Sequence, residues 1–151
     1  MEQLIISIIF AAFLIVIALI DLKSGLIYNK ILLVMAISAI IFDLSGILIE
    51  IDQAMIAALI GFVIMYVIFI LSRGGLGGGD VKFAFVLGLW LGLDGLLIAI
   101  FLSTIFASIV GMIIFLIKRS LKIKLPFAPF MSLGAVTAYF FKETIILNVF
   151  L

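Results

Sequence analysis

The chain has 151 residues, 68% of them hydrophobic and only 11% charged, with a net charge of +1, a mean hydropathy of +1.63, and neither Cys nor His. Soluble domains carry about 25% charged residues, so this chain has too little polar surface to face water on every side, and its solvent is a bilayer. The composition excludes a soluble enzyme, a disulfide scaffold, a zinc site of Cys or His and any Ser-His or Cys-His catalytic unit, leaving carboxylates, amines, hydroxyls and backbone groups to carry chemistry.

At roughly 20 apolar residues per span, the length allows about six transmembrane helices joined by short loops. The expected fold is therefore all-α, a polytopic membrane protein forming one domain over residues 1–151, with no separate soluble or zinc-binding domain. The few basic residues imply no nucleic-acid partner. Their meaning lies in their placement along the spans.

Residues 4–20 form the first apolar run. It lacks the positively charged start and small-residue cleavage site of a signal peptide, and it ends in Asp21-Leu22-Lys23-Ser24-Gly25, so it reads as a mature helix. A second run begins near Ile31. Ending it near Phe42 lets Asp43-Leu44-Ser45-Gly46 open an irregular outer segment through Glu50 and Asp52, which spares the bilayer a charge at Asp43. Residues 54–71 form a clean third span.

The stretch from Ser72 to Lys82 then places five glycines in eleven residues, which cannot continue a helix cheaply. A fourth, short helix is expected over residues 80–93, about 20 Å long, with a tight hairpin at Asp94-Gly95. Residues 96–117 make a fifth span. After the basic segment 118–124 and a turn at Pro126-Phe127-Ala128-Pro129, a sixth helix is expected over residues 131–150. Pro126 and Pro129 shape its entrance. Trp90 reads as lipid-facing or packing bulk, and Gly61, Gly88, Gly92 and Gly111 as permitting close helix contacts.

With the N-terminus outside, the inner loops hold Lys23, Lys30, Arg73, Lys82, Lys118, Arg119, Lys122 and Lys124, leaving only Lys142 outside. The outer segments hold Glu2, Asp43, Glu50, Asp52, Asp94 and Glu143. Asp21 and Asp80 are the two carboxylates left on the basic side. The parity of alternating spans sets them at one depth, Asp21 at the negative end of the first helix and Asp80 at the positive end of the fourth.

Two nearby carboxylates without His, Cys or a metal cluster point to water activation, one taking a proton from water while the other, protonated, polarises a carbonyl. The glycines before Asp80 allow a sharp bend and leave room for another backbone. They do not form a phosphate loop, which requires Lys and then Ser or Thr after its last Gly. Lys82 is either a positive-inside anchor or an influence on the site. Asn29 either caps the second helix or hydrogen-bonds near Asp21. The competing classes are a small transporter, which would place its polarity near the bilayer midplane, and a noncatalytic assembly subunit.

At this point three motifs resemble those of a known family. Gly77-Gly78-Gly79-Asp80-Val81-Lys82 is similar to the GxGD motif, in its G-x-G-D-x-K form, of the type IV prepilin peptidases. Asp21-Leu22-Lys23-Ser24-Gly25-Leu26-Ile27-Tyr28-Asn29 resembles that family's other aspartate segment, with Tyr28 where the motif has Pro. Leu125-Pro126-Phe127-Ala128-Pro129-Phe130, followed by Leu133-Gly134-Ala135, resembles its third signature, with Ala128 in place of Gly. The resemblance implies a membrane aspartic endopeptidase with catalytic Asp21 and Asp80 and with Gly77, Gly79, Lys82 and Asn29 as substrate-binding or loop residues. It implies no cofactor and no metal. The implied partners are prepilin or pseudopilin precursors, cut after Gly at the cytoplasmic face of the inner membrane, together with membrane lipid. Because the first helix begins at once and Cys is absent, the resemblance is to the compact, peptidase-only members.

Overall fold

The computed structural model describes residues 1–118 and 125–147, Glu143 by its backbone alone. The chain forms α1 (Glu2–Ser24), α2 (Asn29–Leu44), α3 (Ile51–Leu71), α4 (Gly78–Lys118) and α5 (Ala128–Ile145). No strand occurs among the described residues. The helices α1, α3 and α4 are each long and apolar enough to cross a membrane. The basic segment expected at 118–124 lies outside the described residues beyond Lys118, as does the end of the predicted sixth helix beyond residue 147.

Among the described residues there are five helical runs, set against the six spans expected, and the fourth run contains two helices. The predicted fourth and fifth spans both form helix within α4, as two arms joined at a kink, and the reversal expected at Asp94-Gly95 falls slightly earlier. The break lies instead at Gly92, with φ 67° and ψ −177°, a backbone region open essentially to glycine alone. The packing around Gly61 shows what the break does. A Cβ built there would lie 2.7 Å from Leu96 Cδ2 and 3.0 Å from the Ala84 carbonyl oxygen. In a straight helix those two residues would be about 18 Å apart. The run therefore folds back on itself at Gly92, and both arms pack on α3.

Small residues make this packing close. Gly88 lies so near Ala58 that a Cβ would sit 2.5 Å from its backbone nitrogen, and Gly134 of α5 abuts the Ala99 carbonyl and Ser103 of α4. Gly111, in contrast, makes only an ordinary contact with Leu125. Trp90 anchors the centre and does not face lipid. It is 1% exposed, stacks on Phe10 with centroids 4.8 Å apart, meets Phe42 edge-on at 5.8 Å and donates its indole N–H to the Met35 carbonyl at 3.0 Å.

Asp43 also departs from expectation. It belongs to the last turn of α2, on the same buried face as Leu32, Met35 and Ala39, and is 4% exposed. The Ile49 N–H donates to its Oδ1 at 3.3 Å. The carboxylate folds the α2–α3 connection back over the helix end, which an outer loop residue would not do. Its Oδ2 is buried without a hydrogen-bond partner. The last helix starts at Ala128, earlier than the predicted residue 131, with Pro126 just before it and Pro129 in its first turn, where a missing N–H breaks no helical bond.

Contacts between segments distant in sequence define two ends. At one, Asp21 meets Ala128, Ile27 meets Gly79 and Asn29 meets Lys82. At the other, Ser7 meets Tyr139 and Ile49 meets Gly92. Asp21 and Asp80 lie at the first end.

Candidate active site

Asp21 closes a helical stripe. Ile6, Phe10, Leu14 and Ile17 form the buried face of α1, and Asp21 is its last buried member. Gly25, at φ 63°, then caps the helix by donating its N–H to the Asp21 carbonyl at 2.8 Å. This left-handed residue ends α1 and sends residues 25–28 toward the start of α4. The Asp21 side chain accepts the Ala128 N–H on Oδ2 at 3.0 Å, across 107 residues of sequence.

Asp80 is the third residue of α4. Its Oδ2 accepts the N–H of Gly77 at 3.0 Å, the residue just before the helix. A side chain in the first turn that reaches back to the amide before the helix is half of a capping box, and it satisfies one of the donors a helix start leaves free. Oδ1 of Asp80 is buried and has no hydrogen-bond partner.

The glycines have separate roles. A Cβ at Gly77 would lie 3.1 Å from Asp80 Oδ2, and one at Gly79 would lie 2.9 Å from the Ile27 Cβ. Gly78 faces open space. The preceding loop is folded by Ser72, whose hydroxyl donates to the Phe69 carbonyl and accepts the Leu76 N–H at 3.1 Å. Arg73 and Gly74 take positive φ values there, 48° and 95°.

These segments enclose a cavity of about 400 Å³, lined by Asp21, Leu22 and Gly25 of the α1 end, residues 74–77 of the loop, Asp80, and residues 125–127. The two carboxylates are 5% and 6% exposed, and the Asp21 charge acts on Asp80. A pair of buried carboxyls facing one cavity, each with an oxygen tied to a backbone N–H, is an arrangement suited to acid–base chemistry.

Of the residues singled out from sequence, Asp21, Asp80, Gly77 and Pro126 line this cavity. Gly79 lies behind it against Ile27, and Pro129 lies in the first turn of α5. Asn29 and Lys82 are elsewhere. Lys82 Nζ donates to Asn29 Oδ1 at 3.0 Å, and the pair stands at a separate apolar groove between α2, α3 and α4. Neither role expected of Asn29 is found. The residue preceding α2 is Tyr28, no side chain caps the helix, and Asn29 is the acceptor for Lys82. Sequence reasoning missed the Ala128 amide. The available signal was the pair of prolines marking a helix start, since such starts leave donors free.

The type IV leader peptidase family matches this chain over residues 8–112, a segment containing both aspartates. Among curated proteins, the chain is similar to the prepilin leader peptidase/N-methyltransferase of Bacillus subtilis (strain 168), 33% identical over 141 residues, covering 93% of this chain and 57% of that protein. The proteins of the same name from Aeromonas hydrophila and Xanthomonas campestris pv. campestris are 25% and 24% identical, covering 87% and 93% of this chain and 48% and 51% of their own lengths. The chain thus spans about half the length of the curated relatives it matches. No solved structure matches it. With the family match covering well over half of the sequence and running through both buried carboxylates, this chain belongs to the type IV leader peptidase family.

Proposed function

We propose that this protein is a membrane aspartic endopeptidase that removes the short basic leader of prepilin or pseudopilin precursors, cleaving after a Gly. The observation that carries the reading is the single cavity onto which Asp21 and Asp80 both open, bounded by the glycine-rich loop and the 125–127 segment. In this reading the N-terminus lies outside a cytoplasmic membrane and the cavity faces the cytoplasm. Its support is charge: Lys23, Lys30, Arg73 and Lys82 belong to the chain segments at the end of the molecule that holds the two aspartates, while Glu2, Glu50, Asp52 and Asp94 belong to the other end.

The chemistry follows from the pair. The ionised carboxylate takes a proton from water as the water oxygen attacks the scissile carbonyl, and the protonated carboxylate donates to the carbonyl oxygen. The tetrahedral intermediate then collapses, the C–N bond breaks, and a proton passes to the leaving amine. A helical substrate shields its peptide bonds, so the segment around the cleaved Gly is unwound before it enters. Three of the four residues 74–77 that line the cavity are glycines, which lets such a segment approach closely.

The test is cleavage of a synthetic prepilin, with a basic leader ending in Gly and an apolar stretch after it, by purified full-length protein in lipid nanodiscs. Asp21→Asn and Asp80→Asn keep the side-chain shape and remove the acid. Each is expected to abolish product formation, and normal cleavage by either variant overturns the dyad.

A further inference from the structure

We propose that the backbone N–H of Ala128, at the start of α5, is the positioning group for Asp21, so that the segment carrying Pro126 and Pro129 acts in catalysis by aiming a carboxylate 107 residues away. The inference rests on the role proposed for Asp21.

Three features on this side of the cavity converge. Ala128 is fully buried, at 0% exposure, so water cannot serve its amide, and leaving that donor unpaired would carry the full penalty of a desolvated N–H. Its partner is Asp21 Oδ2, itself on a side chain only 5% exposed. The Ala128 donor thus has Asp21 as its partner and no solvent as an alternative.

The second feature is the absence of competition. Pro129 has no N–H, and the amides of Phe130 and Met131 both donate to the Phe127 carbonyl, at 3.0 and 3.1 Å. Within the first turn of α5, the Ala128 amide is the one left to face Asp21. The third is the field of the helix. The positive end of α5 points at Asp21, opposing the negative end of α1 on which that residue sits, and so favours a fixed orientation of its carboxylate toward α5. Oδ2 is held, and the carboxyl plane is set relative to the cavity shared with Asp80.

The amide can be deleted without changing a side chain. Incorporating lactic acid in place of Ala128 by nonsense suppression converts the N–H to an ester oxygen. Ala128→Pro also removes the donor, at a first helical position where proline is otherwise well accepted. Ala128→Gly keeps the N–H. All three are measured as full-length protein in nanodiscs on the synthetic prepilin, together with the infrared carboxylate band of Asp21, assigned by its loss in Asp21→Asn.

The ester and proline variants are expected to lower kcat at least about tenfold with KM nearly unchanged, and to shift the Asp21 band, while Ala128→Gly keeps both at wild-type values. A wild-type kcat or an unshifted band in the ester variant overturns the proposal. So does an equal loss in Ala128→Gly, which would assign the effect to packing. Normal cleavage by Asp21→Asn would instead remove the dyad itself, so the two failures are told apart.

Discussion

Asp80 and Gly77 hold one another: the Gly77 N–H donates to Asp80 Oδ2 over 3.0 Å, and a Cβ at residue 77 would stand 3.1 Å from that same oxygen. The glycine is thus both the donor that orients the carboxylate and the space the carboxylate occupies. Gly78, one residue on, has open space around its missing side chain. Gly77→Ala is expected to lower kcat by about tenfold or more with little change in melting temperature, while Gly78→Ala leaves cleavage near wild type. Steady-state cleavage and thermal unfolding of the two variants check this.

Asp21, Asp43 and Asp80 are all buried, yet only Asp21 and Asp80 share a cavity. Asp43 receives the Ile49 N–H at the opposite end of the molecule. An Asn there still accepts that bond and no longer carries a charge, so Asp43→Asn is expected to retain both fold and cleavage. Asp43→Leu removes the acceptor, strands a backbone donor and lowers stability by about 1–3 kcal/mol. Cleavage rates beside those of Asp21→Asn, and melting temperatures of both Asp43 variants, provide the measurement.

Gly92 makes the turn that brings both arms of α4 onto α3, in a conformation of φ 67° and ψ −177° that other residues enter at a cost. Gly92→Ala is expected to destabilise the protein by about 1–3 kcal/mol. The added Cβ also meets Ile49 Cδ1 at 3.2 Å, the flexible tip of a side chain that can turn aside. The strain is therefore expected to dominate, and Ile49→Ala should rescue little of it. Unfolding of the single and double variants in nanodiscs tests the partition.

Trp90 joins α4 to α1 and α2 through Phe10, Phe42 and the Met35 carbonyl. Trp90→Ala should cost about 3–5 kcal/mol, as for other large aromatic truncations in a core. Trp90→Phe keeps most of the ring contact and loses the indole donor, for a loss nearer 1 kcal/mol. Because Trp90 does not line the cavity of Asp21 and Asp80, KM for the prepilin should stay constant in whatever fraction remains folded.

Much of the site was legible along the chain. Hydropathy located the apolar segments, and the distribution of charge separated Asp21 and Asp80 from the other six acids, because both are local properties that add residue by residue. The same reasoning misjudged Asp43, since a charge in an apolar run looks like a loop until the Ile49 amide folded over it is seen. It also put the turn of α4 at Asp94-Gly95. The composition there favours a hairpin, but the choice between neighbouring glycines was made by packing on Gly61 of another helix.

Sequence by itself determined that the chain is apolar enough for a bilayer, that it holds no Cys or His, and that two of its acids stand among bases. Only the tertiary structure decided that Lys82 is tied to Asn29, that Gly92 carries the reversal, and that the Asp21 carboxylate is held by the amide of Ala128. Those pairings depend on which helix ends meet. That is set by the packing of glycines and alanines between helices, a relation between distant segments that no local pattern of hydropathy or charge encodes.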